Sequence, residues 1–193
     1  MQPNTLDIGG ALKLAWDAFT KNAVALIVGA LLMGIISGVS LGLCVGPMAV
    51  GYARLCLKAA RGQQAEIGDL FSGFSDFGPA FLMMLIAAIA VGIGMILCVL
   101  PGVIIGFALS WAPYLMADGD SDAMSCLKRS WEFSKANLGS VIVFLIVAGI
   151  VGGIGGVIGG IGQLVTMPIG QMMVAFGFIN VLGGGIGREA PVV

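Results

Sequence analysis

Long stretches without a single charge constrain this chain more than any other feature. Lys21 and Arg54 enclose 32 uncharged residues, Asp76 and Asp118 enclose 41, and Lys135 and Arg188 enclose 52. Every Lys, Arg, Asp and Glu of the 193 residues therefore falls in the remaining 68 positions. Crossing a hydrocarbon core of about 30 Å takes roughly 20 apolar helical residues. Each window is long enough for one crossing, and two of them are plainly long enough for two. Charged residues make up 10% of the chain and mean hydropathy is +1.07, whereas soluble domains carry about 25% charge. The solvent this sequence suits is lipid.

Composition also narrows the chemistry. The formal net charge of −1 provides no basic field for nucleic acid. Histidine is absent, which removes the commonest general base and metal ligand. The N-terminus lacks the charged, apolar and small-residue succession of a removable signal peptide. The four cysteines are too few and too dispersed for a disulfide framework. Cys44 and Cys98 lie in the similar strings Leu43-Cys44-Val45 and Leu97-Cys98-Val99. They read as small buried hydrophobes, with a disulfide between them as the alternative.

Glycine and proline interrupt the apolar windows near Pro47, Pro101 and Pro168. If each interruption is a hairpin turn, the chain crosses six times. All nine basic and all ten acidic residues then share one face, and the turns around residues 43–47, 97–101 and 163–168 carry no charge. The positive-inside rule makes the charged face cytoplasmic, with both termini on it. The expected fold is an all-α integral membrane protein of six transmembrane helices, forming one membrane domain over residues 1–193.

Internal repetition supports that count. Leu12-Lys13 and Trp16-Asp17 precede Asn22, and Leu127-Lys128 and Trp131-Glu132 precede Asn137 at an offset of 115. A degraded middle copy runs Phe71-Ser72-Gly73-Phe74, then Gly78-Pro79. Leu43-Cys44-Val45-Gly46-Pro47 matches Leu97-Cys98-Val99-Leu100-Pro101 at an offset of 54. The predicted unit is an amphipathic leader, a long apolar segment, a proline break and a shorter apolar segment. Three tandem hairpin repeats, about residues 6–61, 62–117 and 118–187, share one core because none covers its packing surfaces alone. Helical spacing puts Leu12, Trp16 and Phe19 on one side of the first leader, with Lys13, Asp17 and Lys21 on the other. Trp16 and Trp131 precede spans by a few residues, where indoles favour the headgroup layer. The leaders read as in-plane helices on the cytoplasmic face or as anchors that set the angle of the next span.

Several residues invite a functional reading. If the second span begins at Pro47, Arg54 sits about 10 Å into hydrocarbon, with Lys58 and Arg61 on its helical face. An ionisable group at that depth is a functional candidate. If the turn lies nearer Gly38 to Gly42, Arg54 instead snorkels to the headgroups. Gly152, Gly156 and Gly160 recur every four residues beside a second row at Gly155 and Gly159. Such rows let helices approach closely, within the monomer or between copies. Gln163, Thr166 and Gln171 either line a polar path or satisfy backbone groups freed before Pro168. Asp118, Asp120 and Asp122 begin like a calcium loop, but Ala123 and Arg129 stand where that loop needs Gly and Glu. Ser121 or Asp122 as the cap of a following helix is the better account.

The order Gly51, Leu55, Ala60-Arg61-Gly62, Gly68-Asp69-Leu70-Phe71-Ser72-Gly73-Phe74, Leu100-Pro101-Gly102 and Arg129-Ser130-Trp131-Glu132 resembles one bacterial family group. These are membrane proteins allied to the membrane domain of glycerophosphoryl diester phosphodiesterases and to YciC-like inner membrane proteins. The resemblance spans roughly residues 10–185. It implies a six-span prokaryotic inner membrane protein, with the phosphodiesterase chemistry of some members in a separate soluble domain. The expected function is therefore non-enzymatic, without cofactor or metal: a lipid-interacting scaffold or accessory subunit, partnered by lipids and by a second copy or a membrane complex. The alternative is a channel or transporter with a site near Arg54 or Gln163, Thr166 and Gln171.

Overall fold

A computed structural model describes residues 8–157 and 162–182. Among these residues the secondary structure is helical, as an apolar solvent demands: without water, each segment must satisfy its own backbone groups. The order is α1 (Ile8–Val39), α2 (Val45–Ala60), α3 (Ile67–Phe71), a 3-10 turn (Ser72–Asp76), α4 (Phe77–Leu97), α5 (Val99–Leu109), α6 (Ala112–Ala117), α7 (Ala123–Ala136), α8 (Leu138–Val157) and α9 (Gln163–Val181).

Five stretches are long and apolar enough to cross a membrane: Ile8–Val39, Ile67–Leu97, Val99–Ala117, Leu138–Gly156 and Gln163–Val181. The expected sixth is α2. Its 16 residues extend only about 24 Å, it carries two basic side chains with Arg61 at its C-cap, and it is buried on nearly every side. It is an interior helix, enclosed by α1, α3, α4, α6 and α9.

The turns also differ from the proline positions. The first occupies residues 40–44, where Leu41 (φ 51°) and Gly42 (φ 89°) take the left-handed conformation that reverses the chain. Pro47 and Pro101 are each the third residue of the next helix. There the missing N–H costs nothing, because first-turn amides lack a helical acceptor. Cys98 alone, extended at φ −171° and ψ 143°, joins α4 to α5. Pro168 is no turn residue; it is buried inside α9.

One joint recurs where leader meets long helix. Asn22 (φ −122°, ψ 20°) kinks α1, Asp76 (φ −108°, ψ 34°) precedes α4, and Asn137 (φ −128°, ψ 32°) separates α7 from α8. The Asn22 and Asn137 amides donate to the carbonyls of Ala18 (3.2 Å) and Phe133 (3.1 Å), four residues back, closing each leader. The first leader is thus continuous with the long helix that follows, and the expected apolar side of Leu12, Trp16 and Phe19 is split. Ala11, Ala15, Ala18 and Phe19 are buried, while Leu12 and Trp16 face out at 39% and 53% exposure. Small alanine side chains take the interior positions of a helix that packs closely on α9. In α7 the inward row is Ala123, Cys126, Leu127, Ser130 and Ser134, set against α5 and α6. The Ser130 and Ser134 hydroxyls both donate to the carbonyl of Ala108, at 2.7 and 3.0 Å.

Helices α1, α4 and α8 lie outermost and expose apolar rows at helical spacing, Leu82, Leu85, Ile89 and Ile93 in α4 and Val143, Ile146, Ile150 and Ile154 in α8. Helix α9 is the converse, buried almost without break from Pro168 to Phe178. Trp111 anchors the centre edge-on to Phe133 (5.9 Å) and stacked with Phe144 (6.2 Å).

All four cysteines are free thiols: Cys98 is exposed, Cys44 half-buried, Cys56 and Cys126 buried. Burial first, and then the Asp120 carboxylate beside it, push the Cys126 thiol up to about 12. Intact mass is accordingly expected to be the same with and without reductant. Brief treatment with a membrane-permeant maleimide should modify Cys98 first and leave Cys56 and Cys126 intact until denaturation. A two-dalton gain on reduction would contradict this.

Candidate functional site

The basic row of α2 is the densest polar feature. Arg54, Lys58 and Arg61 share a face at helical offsets of four and seven, and each meets an acid brought by a later segment. Arg54 donates from Nη1 to the Ser72 carbonyl (2.6 Å) and hydroxyl (3.3 Å), and from Nη2 to Oδ2 of Asp76 (2.5 Å). Lys58 Nζ donates to Oδ1 of Asp69 at 2.5 Å. Arg61 pairs with Asp118. Arg54 is thus not a bare charge: its side chain is 21% exposed and sits against a carboxylate that is 26% exposed. The acids are placed by local structure. Asp69 lies in the first turn of α3, where Oδ2 accepts from the Glu66 N–H at 3.0 Å.

This row depends on close backbone approach. A Cβ on Gly51 would collide with the Leu70 carbonyl, and one on Gly73 would strike the Pro47 carbonyl and come 2.7 Å from the Gly51 nitrogen. The Gly68–Phe74 string therefore packs flat on α2 and presents Asp69, Ser72 and Asp76 to the basic row. Sequence reasoning singled out the bases but did not pair them with Asp69, Asp76 and Asp118. Their partners lie 11, 22 and 57 residues away, beyond any local pattern.

The aspartates after α6 are divided among separate tasks. Asp118 meets Arg61, and Asp122 caps α7 by accepting from the Ser125 N–H at 2.9 Å. Asp120 accepts from Ser125 Oγ (2.8 Å), Arg129 Nη1 (3.1 Å) and the Asp122 N–H (3.3 Å). Among the described residues, no group of three His, Cys, Asp or Glu could hold a metal ion. Burial acts to raise the Asp120 carboxyl, but the hydrogen bonds from Ser125, Asp122 and Arg129 prevail and hold it below its usual 3.8. A lowered folded value stabilises the protein above the unfolded value, and that stability is lost as pH falls through the folded one. Thermal stability in detergent should therefore drop below about pH 4, and Asp120→Asn should flatten that acid limb. An unchanged limb would show that Asp120 contributes nothing.

The second polar feature is a cleft of about 340 Å³ between α5–α6, α8 and α9, open on one side. Gln163 and Gln171 both line it, as do Ser110 and Tyr114. The Tyr114 hydroxyl lies 2.6 Å from Gln171 Oε1 and 3.1 Å from its carbonyl. A smaller cleft of about 130 Å³ adjoins, sharing Ser110, Tyr114 and Gln171 and reaching Tyr52. Arg54 lines neither. Thr166 lies apart: its hydroxyl bridges the Gly152 carbonyl (2.9 Å), the Gly155 N–H (3.2 Å) and the Gly162 carbonyl (3.2 Å). It satisfies backbone rather than lining a path.

Of the glycine rows, Gly152 and Gly155 lie at the α8–α9 crossing, and Gly159 lies outside the described residues. A Cβ on Gly152 would meet the Gly170 Cα at 3.5 Å, and one on Gly155 would collide with Gly162 and Thr166. Gly156 is exposed, its nearest such contact being the Gln163 side chain at 2.8 Å. Gly160 lies outside the described residues. Trp131, 41% exposed, faces away from the inward row of α7, as Trp16 does on the first leader.

Among the described residues, five apolar helices of membrane-crossing length, packed about a short ion-paired interior helix, are the features of a helical membrane protein. The chain belongs to the family described as Domain of unknown function (DUF7847), whose model matches residues 17–187. It is 24% identical to the uncharacterized protein Rv2560 of Mycobacterium tuberculosis, covering 100% of this chain and 75% of that one. The uncharacterized protein Mb2590 of Mycobacterium bovis is similar to the same extent. No solved structure matches significantly.

Proposed function

We propose that the chain is a non-enzymatic, multi-pass protein of a prokaryotic inner membrane, a lipid-interacting scaffold or accessory subunit of a membrane assembly. The observation that carries this reading is the outer surface. Apolar rows on α4 and α8 face outward at helical spacing, while three of the acids are spent on α2. The polar side chains are thus committed to holding the helices together. A supporting observation for three hairpin units is the packing order: α2 lies on α3, α5 and α6 on α7, and α9 on α1. In this reading α2 is the sixth crossing, too short for lipid by itself and sheltered by its neighbours, and both termini are cytoplasmic. The alliance with the phosphodiesterase membrane domain and YciC-like proteins rests on the Gly51, Arg61-Gly62 and Asp69–Phe74 residues that form the α2 contact.

Native mass spectrometry of the chain released from inner-membrane lipid vesicles tests the reading: retained phospholipid adducts are expected. A chain that sheds all lipid without loss of stability would overturn it. Reporter fusions should place both termini inside; termini on opposite faces would remove α2 from the crossings. The cleft favours a second reading, a transport path at Gln163 and Gln171, for which Arg54 and Thr166 are unsuited by their other bonds.

A further inference from the structure

We infer that the cleft between α5–α6, α8 and α9 is a binding site for a neutral lipid of the diacylglycerol class, entering sideways from the bilayer. The inference rests on the lipid-interacting reading and adds a ligand and a site to it.

The cleft combines an apolar body with uncharged polar groups. Phe107, Leu145, Met167 and Val174 supply the apolar walls, and Ser110, Tyr114, Gln163 and Gln171 supply the hydrogen-bonding groups. Gln171 is oriented: its Oε1 accepts from the Tyr114 hydroxyl at 2.6 Å. Its amide N–H donors are therefore the unengaged end, and among the described residues no acceptor meets them. An amide left without a partner in an apolar medium is costly, so this position suits a ligand that brings an oxygen acceptor. Among the described residues, no charged one lines the cleft. A phosphate or ammonium headgroup would there be desolvated without a counter-charge, whereas ester carbonyls and a hydroxyl match the amide and hydroxyl lining.

The way in is also built. Gly149 and Gly153 of α8 line the cleft, and a Cβ on either would meet nothing within 4 Å. Beside them Ile146, Ile150 and Ile154 face outward. An acyl chain can thus pass from the outer surface across a side-chain-free edge into the cleft. The volume of about 340 Å³ is at the lower end of small-molecule sites and suits the glycerol region with the first part of one chain.

The test uses the full chain in phosphatidylethanolamine–phosphatidylglycerol vesicles doped with diacylglycerol that carries a diazirine in one acyl chain. A parallel set carries the same diazirine chain on phosphatidylglycerol, and adducts are mapped by peptide mass spectrometry. Diacylglycerol should label the cleft walls about tenfold more than phosphatidylglycerol does, with both labelling the outer rows of α4 and α8. Gly153→Leu, which fills the edge without a backbone collision, should lower cleft labelling about tenfold. Gln171→Leu should lower it several-fold, and Gly139→Leu, on open surface of the same helix, should leave it unchanged. Equal cleft labelling by the two lipids, or labelling that survives both cleft variants, overturns the site while leaving the lipid-interacting reading intact. Absence of labelling on the outer rows as well defeats that reading too.

Discussion

Gly51→Ala is expected to destabilise the protein by about 3 kcal/mol or more, at the upper end of overpacking costs. The new methyl would occupy the position of the Leu70 carbonyl oxygen, a backbone atom that no rotamer change can move. Relief requires α2 and the segment ahead of α4 to separate, which would pull Asp69, Ser72 and Asp76 away from the basic row. Thermal unfolding in detergent should therefore show a large drop in midpoint, and Gly73→Ala a similar one. Gly78→Ala, where the added methyl meets nothing within 4 Å, is the matched control. A Gly51→Ala variant as stable as that control would disprove the flat packing of this segment on α2.

Arg54→Ala is expected to cost about 3 kcal/mol, because it leaves the Asp76 carboxylate without its cation, and Asp76 and the Ser72 carbonyl with only the Ser75 hydroxyl as side-chain donor, in a mostly enclosed site. Asp76→Ala should cost a comparable amount for the reciprocal reason. The double variant should be more stable than the sum of the two losses implies, with a coupling of about 1–2 kcal/mol. Insertion into the membrane should persist in all three. Additive losses would mean that the pair, although close, carries no energy of its own. Lys58 is 45% exposed at its side chain, so Lys58→Ala should be milder, as screened pairs are.

Much of the architecture was legible because lipid imposes simple rules. Uncharged windows that must satisfy their own backbone become helices, and Asp122 before an amphipathic run becomes a cap. Asn22 and Asn137, paired by the 115-residue offset, do share one bent conformation. The errors came where packing overruled local pattern. Pro168 looked like a turn, yet a proline is tolerated inside α9, where the Thr166 hydroxyl meets backbone groups nearby. Leu12, Trp16 and Phe19 were read as one apolar side, yet only Phe19 is buried, alongside the alanines at 11, 15 and 18. Of the candidate polar path, Gln163 and Gln171 do meet in a cleft, while Tyr114, which orients Gln171, was missed. Its partner is 57 residues away, and nothing in the local sequence marks a tyrosine hydroxyl as positioned.

Composition and charge order alone determined a helical chain suited to lipid, since the cost of an unpaired peptide group or a bare charge in hydrocarbon does not depend on where other segments lie. Only the tertiary structure decided that α2 is interior, that its three cations are matched by three particular aspartates, and that a neutral cleft opens beside α8. Those outcomes turn on distances between segments remote along the chain, as where close approach at Gly51 and Gly73 lays the Leu70–Gly73 segment on α2.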